Sequence, residues 1–294
     1  MIIDAHSHVW RRWPYTPDIP DPRQRGGARA LLCEMDQANV DKALVVCARI
    51  GGPDRRTANP DNNHFVAAEV ARYPDRLAAV VDVDSRWSAE YHRPGAADRL
   101  AAAVAATGAV GVTHYLEAED DGWLQTDEAK EFFGRAAALG LIVSLHAPPC
   151  WHRPLADLLS AVPDVPVLLH HQGLVAPGSP TFEADLGALA GLADVGDVYV
   201  KLSGFHYLTD RPWDFPYADT HGVMRALLAS FGPGRLVWGS DYPVARPHLT
   251  YRQSIEVIRE HAGIDRTDLD DVLGGTMARL LAGGGRRVVN VANW

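Results

Sequence analysis

Cysteine and lysine are scarce in this chain, with only three of each among 294 residues. Cys33, Cys47 and Cys150 form no CxxC pair and no even-numbered framework, which excludes a disulfide scaffold. They are expected to be buried fillers in a reduced, cytoplasmic protein. No uncharged apolar run approaches the roughly 18 residues needed to span a bilayer. The opening MIIDAHSHVW lacks the basic and long apolar stretches of a signal peptide. There is no basic block either. The charge balance of 28 basic against 37 acidic residues gives −9, which argues against nucleic acid or an anionic membrane as partner.

What is present is a regular alternation. Eight short apolar runs read as strands: Met1–Ala5, Ala43–Ala48, Leu77–Val83, Ala109–Tyr115, Leu141–Leu145, Val165–His170, Val198–Ser203 and Arg235–Trp238. Each is nearly continuous in apolar character, as strands buried on both faces should be. Helix-like segments lie between them: Ala28–Asn39, Asn62–Tyr73, Ala96–Thr107, Thr126–Leu139, Pro154–Val162, Phe182–Ala193, Ala218–Phe231 and Thr250–Ala262. Gly108, Gly140 and Gly232 follow three of them at the left-handed C-cap position. Eight β-then-α units predict a single-domain α/β chain, a (β/α)8 TIM barrel spanning residues 1–294. Asp268–Ala282 reads as a C-terminal closing helix that ends at Gly283–Gly285.

In such a barrel, chemistry sits where strands end. Strand one ends Asp4-Ala-His6-Ser-His8, and alternation predicts that Asp4, His6 and His8 share a face. Two imidazoles spaced i, i+2 can converge on one cation, and Asp4 could orient one of them. Strand five ends at His146, strand six at His170-His171-Gln-Gly and strand eight at Trp238-Gly-Ser-Asp241-Tyr-Pro. A buried strand ending in an ionisable group is costly unless that group is paired, hydrated or metal-bound.

This ordered set resembles the amidohydrolase superfamily, in its amidohydrolase-related branch. Val200-Lys-Leu-Ser-Gly204 and Gly275-Thr-Met-Ala-Arg-Leu280 look like the lactonase-like group of that branch. The resemblance implies a TIM barrel and one divalent metal held by His6, His8, His146 and Asp241. Zinc is the default for three nitrogens and a carboxylate, with manganese able to occupy the same site. It further implies that Asp241 is the general base on a metal-activated water and that His171 polarises the substrate or moves a proton. Strand four, Val110-Gly-Val-Thr-His-Tyr115, ends in neither lysine nor glutamate, so one metal rather than two is implied. The function expected is metal-dependent hydrolysis of a small lactone or a related carbonyl substrate. Non-oxidative decarboxylation of an unsaturated or aromatic acid is the alternative, and a non-catalytic ligand-binding barrel the remote one.

Of His170 and His171, alternation allows only one to face the mouth, so His170 is expected in the helix layer. Arg49, His114, Trp151, His206 and Tyr242 lie near strand ends and are candidates for substrate contact. The partner expected is a small molecule, acidic if the arginine-rich first loop (Arg11, Arg12, Arg23, Arg25) covers the pocket. A homo-oligomer is compatible with all of this. Specificity is expected in the loops Arg11–Gly27, Arg49–Asn63, Glu117–Gln125, Trp151–Arg153 and Phe205–Tyr217.

Overall fold

The computed structural model describes residues 1–50, 54–162 and 165–284. Along the chain run β1 (Ile3–Ser7), α1 (Ala28–Ala38), β2 (Lys42–Val46), α2 (Asn62–Arg72), β3 (Leu77–Asp82) and α3 (Ala96–Thr107). Then come β4 (Gly111–Tyr115), α4 (Asp127–Ala138), β5 (Ile142–His146), α5 (His152–Ala161), β6 (Pro166–Leu169) and α6 (Phe182–Gly191). The last are β7 (Asp197–Leu202), α7 (His221–Phe231), β8 (Leu236–Trp238), α8 (Tyr251–Glu256) and α9 (Thr276–Gly284). All eight strands form one sheet in sequence order, each parallel to the next. This is the (β/α)8 barrel that the alternation predicts.

Two apolar layers explain why the strands carry almost no polar face. Leu44, Val46, Val80, Ile142, Leu168 and Val237 fill the barrel interior. Their neighbours Val45, Val81, Val143, Leu169 and Trp238 pack under the helices. The closing helix α9 adds Met277, Leu280 and Leu281 to the interior, beside Ile3 at the start of β1. The glycine run after it lies partly outside the described residues, at Gly285. Expected and observed helices differ at their ends. The Ala218 segment opens as a 3-10 turn before α7, and α8 continues into a wider π turn at Val257–His261. The segment Thr250-Tyr-Arg-Gln253 is a capping box, with Thr250 and Gln253 side chains satisfying each other's backbone N–H.

The seam between β8 and β1 sets up the site. Ser7 bridges Tyr242, the Asp241 N–H donates to the His6 carbonyl at 2.8 Å, and the His8 N–H donates to the Tyr242 carbonyl at 2.7 Å. The chain that closes the barrel therefore carries Asp241 alongside both strand-one histidines.

Three expectations about facing need correction. The pairing of β1 with β2 shifts register between Asp4 and Ser7, and this irregularity breaks the expected alternation. Asp4 accordingly bonds Tyr251 Oη of α8 at 2.9 Å, while His6 turns inward toward His8, His170 and His171. His170 likewise faces the barrel, not the helices: it follows inward Leu168, and its Nε2 meets Ser144 Oγ at 2.7 Å. His171 joins it inside because its backbone is left-handed, φ 49°, which ends the strand alternation. Finally, Cys33 and Cys150 are exposed, and only Cys47 is buried filler. Among the described residues, no helix is long and apolar enough to cross a membrane.

Candidate active site

At the C-terminal rim of the barrel a cavity of about 500 Å³ opens above His8, His146, His171 and Asp241. His8 and Asp241 line its floor, and beneath them His6 Nε2 stands 3.2 Å from His8 Nε2. Asp241 Oδ1 lies 3.5 Å from His6 Nε2 and 3.4 Å from His8 Nε2. Zinc–ligand bonds of about 2.0–2.1 Å in a tetrahedron put neighbouring ligand atoms about 3.3 Å apart, so this triangle has the size of one metal's coordination face. All three residues are buried, and neither Asp241 oxygen has a hydrogen-bond partner. A buried carboxylate left bare in this way is costly. The trio fits a metal ion.

Each ligand-capable atom is aimed by a partner on its far side. His8 Nδ1 donates to the Val46 carbonyl at 2.8 Å, which leaves Nε2 as the acceptor of the neutral ring. His6 Nδ1 meets Lys201 Nζ at 3.0 Å, and that amine also donates to Ser144 Oγ at 2.7 Å. Asp4 does its work one step away. It accepts from the His6 and Ser240 N–H groups and from the Ser240 hydroxyl, tying the β8 loop to β1. Asp241 holds a left-handed backbone, φ 54°, a conformation that costs of order 1–3 kcal/mol in a non-glycine residue. Gly239 is required beside it, because any Cβ there would press on the His6 side chain.

The electrostatics follow from burial. Desolvation alone would raise the Asp241 carboxyl, but His171, His8 and His206 outweigh it and hold its pKa below the ordinary value. It is a carboxylate at neutral pH. Burial pushes His171 and His146 down to about 3, so both are neutral. Burial likewise lowers Lys201 well below the usual ammonium range. Asp4 rises to about 6 through burial, against the hydrogen bonds from Ser240.

The chain matches the family model described as amidohydrolase over residues 3–282. It belongs to the amidohydrolase family. It is 24% identical over 244 residues to the 4-sulfomuconolactone hydrolase of Rhizobium radiobacter, covering 82% of this chain and 75% of that one. It is 27% identical over 315 residues to the L-fucono-1,5-lactonase of Burkholderia multivorans (strain ATCC 17616 / 249), covering 96% of each. Among solved structures, an amidohydrolase from Burkholderia multivorans with bound zinc superposes with a TM-score of 0.75 at 21% identity. That match covers 96% of this chain and 99% of the other, and it bears on the fold. Like these relatives, the protein is an enzyme.

In this amidohydrolase His6, His8, His146, His171 and Asp241 come together at one rim. His146 lines the cavity, stacked on Tyr115 with ring centroids 5.0 Å apart, but stands outside the close trio. A second grouping, His6, His170 and His171, overlaps the first through His6. His171 Nδ1 is taken by Ser203 Oγ at 3.0 Å, so Nε2 is free for the cavity. Gly204 makes room for this contact, since a Cβ there would collide with the His171 ring.

The five substrate candidates sit elsewhere. Arg49 Nε donates to the Pro60 carbonyl, and Trp151 Nε1 donates to the Glu117 carbonyl from within the helix layer. His206 is buried against His248, and Tyr242 packs near Tyr251. His114 points away from the barrel axis toward His92 and Trp123, because the inward position on β4 belongs to Tyr115. None of the five lines the cavity. The arginines of the first loop do not either; Arg11 pairs with Asp61 and Arg25 with Asp21. The walls come from Trp13, Tyr15, Trp87, Tyr115 and Tyr207, with Arg86 as the one lysine or arginine among the described residues there. Arg86 and Lys201 escape the sequence reading, although both had a signal. Arg86 lies in the loop straight after strand three, and Lys201 is a lone charge at an inward position of an apolar strand.

Proposed function

We propose that this amidohydrolase opens a small anionic cyclic ester, with His6, His8 and Asp241 holding one divalent ion, zinc by preference. The observation that carries the reading is the convergence of three ligand-capable atoms at zinc-like spacing at the base of the cavity, one of them on a carboxylate without hydrogen bonds. An ion bound there would polarise the ester carbonyl and acidify a water. Asp241, ionised at neutral pH, takes the proton from the attacking water and returns it to the ring oxygen as that oxygen leaves. With the Ser203 hydroxyl donating to His171 Nδ1, the neutral imidazole would carry its proton on Nε2 and steady the developing oxyanion there. His146 is the fourth ligand in the family resemblance, while its stacking on Tyr115 supports a wall position. Arg86 supports an anionic substrate, since it lines the cavity beside the Trp87 ring and brings a guanidinium into an otherwise aromatic and aliphatic wall. The name of the 4-sulfomuconolactone hydrolase is that of an enzyme for such a lactone.

Metal analysis joined to an Asp241→Asn variant tests the proposal. The wild type should carry about one equivalent of zinc or manganese and release acid from lactones. The variant should stay folded and lose turnover by on the order of 10³-fold. Activity surviving in the variant would overturn the general-base role. Carbon dioxide released without ring opening would replace hydrolysis with decarboxylation.

A further inference from the structure

The lining of the cavity carries information on the shape and charge of what enters it. One wall is a continuous strip. Arg86 lies with its guanidinium carbon 5.9 Å from the Trp87 ring, Trp87 stands 4.6 Å from Tyr115, and Tyr115 stacks on His146 at 5.0 Å. Trp87 is fixed in place, its Nε1–H donated to Asp82 Oδ2 at 2.7 Å. Facing this strip, Trp13 and Tyr15 lie 5.1 Å apart, and Tyr207 lies 5.1 Å from His171. The remaining wall is aliphatic: Ile50, Leu174 and Val244. Apart from the floor, the tyrosine phenols and the indoles, Arg86 is the only polar side chain of the lining among the described residues. Among the described residues, no serine, threonine, asparagine or glutamine lines the space.

We infer that the substrate is a flat, conjugated lactone carrying a single negative charge, its ring held against Trp87 and Tyr115 and its anionic group on Arg86. This rests on the hydrolase reading above for its chemistry, and on the lining alone for its shape and charge. A sugar lactone presents several hydroxyls, each a donor and an acceptor. In an aromatic and aliphatic wall most of them would be desolvated without a partner, which costs binding at every unmatched group. A flat π system meets the same wall with both faces. One guanidinium matches one carboxylate or sulfonate in a bidentate contact; a dianion would bring a second charge to walls in which Arg86 is the one cationic side chain among the described residues. In the reaction the bond between acyl carbon and ring oxygen breaks, and the oxygen of water bonds to the acyl carbon. One water proton passes through Asp241 to the ring oxygen, giving an enol that relaxes to the ketone. The other proton is released as the new carboxylic acid ionises, one acid equivalent per turnover.

Binding separates this inference from the chemistry. The probe is 6-oxo-1,6-dihydropyridine-2-carboxylate, the lactam counterpart of 2-pyrone-6-carboxylate, followed by quenching of tryptophan fluorescence with Trp13 and Trp87 in the walls. It should bind the metal-loaded wild type, and Arg86→Met should weaken it by at least about tenfold while leaving binding of uncharged 2-pyridone unchanged. Arg86→Lys should restore part of the loss. Trp87→Leu should weaken charged and uncharged rings alike. D-Glucono-1,5-lactone should neither bind nor open, and 2-pyrone-4,6-dicarboxylate should open more slowly than the monocarboxylate. Equal binding of the lactam by wild type and Arg86→Met would overturn the inference, as would preferred opening of the sugar lactone or of the dicarboxylate. Failure of the lactam to bind at all would do the same. Arg86-dependent binding of the lactam without opening of any lactone would uphold the shape and charge of the ligand and sink the hydrolase reading.

Discussion

Two pairs of histidines in this protein meet Nε2 to Nε2 at almost the same distance, 3.2 Å for His6 and His8 and 3.3 Å for His92 and His114. Each pair has one ring whose Nδ1 donates to a backbone carbonyl, Val46 for His8 and Val83 for His114. Each has an aspartate nearby. The pairs differ in where that aspartate sits. Asp241 Oδ1 lies against both Nε2 atoms, so three ligand-capable atoms converge at the spacing of one metal's coordination face. Asp121 Oδ2 instead takes the Nδ1 side of His92, at 2.6 Å. There the gap between the two Nε2 atoms needs only a proton on one of them. Residue types and spacing are alike, yet the position of one carboxylate makes one pair fit for metal and the other for a hydrogen bond.

Metal content breaks or confirms that contrast most sharply. His6→Ala should drop bound zinc from about one equivalent to near none, whereas His114→Ala should keep it. Elemental analysis of the two purified variants reads this directly, and stoichiometric loss in His114→Ala would refute the distinction. Chelation should also lower the melting temperature of the wild type and of His114→Ala, and have little effect on His6→Ala. The reason is linkage, because an ion that binds only the folded state stabilises it.

The contrast also explains what the sequence could and could not disclose. The barrel was legible because strands buried on both faces, glycine caps and helical periodicity all agree on one fold. His6, His8, His146, His171 and Asp241 were legible as ionisable groups at the ends of apolar strands. The facing of Asp4 and the joint inward facing of His170 and His171 were not, because they depend on a register shift in β1 and a left-handed turn at His171, and neither leaves a mark in hydropathy. The five substrate candidates missed the cavity for a related reason. A loop near the rim turns half its side chains toward the helices, as it does with Trp151 and Tyr242. Arg86 came from the loop after β3, which has no histidine to draw attention to it.

Acid stability gives a second, smaller separation, measured in chelator so that metal loss does not intervene. Burial lowers His114 to about 4, against about 6.5 in the unfolded chain. As pH falls from 6.5 towards 4 the unfolded state takes up a proton that the folded state refuses, so the stabilisation present above pH 6.5 is progressively lost. For this one residue the loss amounts to roughly 3 kcal/mol by pH 4. His114→Phe gives up the bond to the Val83 carbonyl, and its stability at pH 7 should be lower. Its slope between pH 6.5 and 4, from urea unfolding at each pH, should nevertheless be shallower than that of the wild type. An unchanged slope would mean that His114 is not the buried neutral group inferred from its surroundings.

The smallest effect belongs to the link between His92 and Asp121. His92 is stacked between Tyr91, at 3.6 Å, and Trp123, at 4.3 Å, and so fastens the loop after β3 to the loop after β4. The first of those loops also carries Arg86 and Trp87 into the cavity. Asp121→Asn keeps the shape of the side chain but removes the charge that favours a proton on His92, against the desolvation that lowers its pKa. Asp121 is exposed, so the contact contributes little to stability. The effect should fall on substrate capture: KM higher by a factor of about two to five, with kcat and metal content unchanged. A fall in kcat at constant KM would show instead that the second histidine pair reaches the reaction itself, and the two pairs would no longer be separable by function.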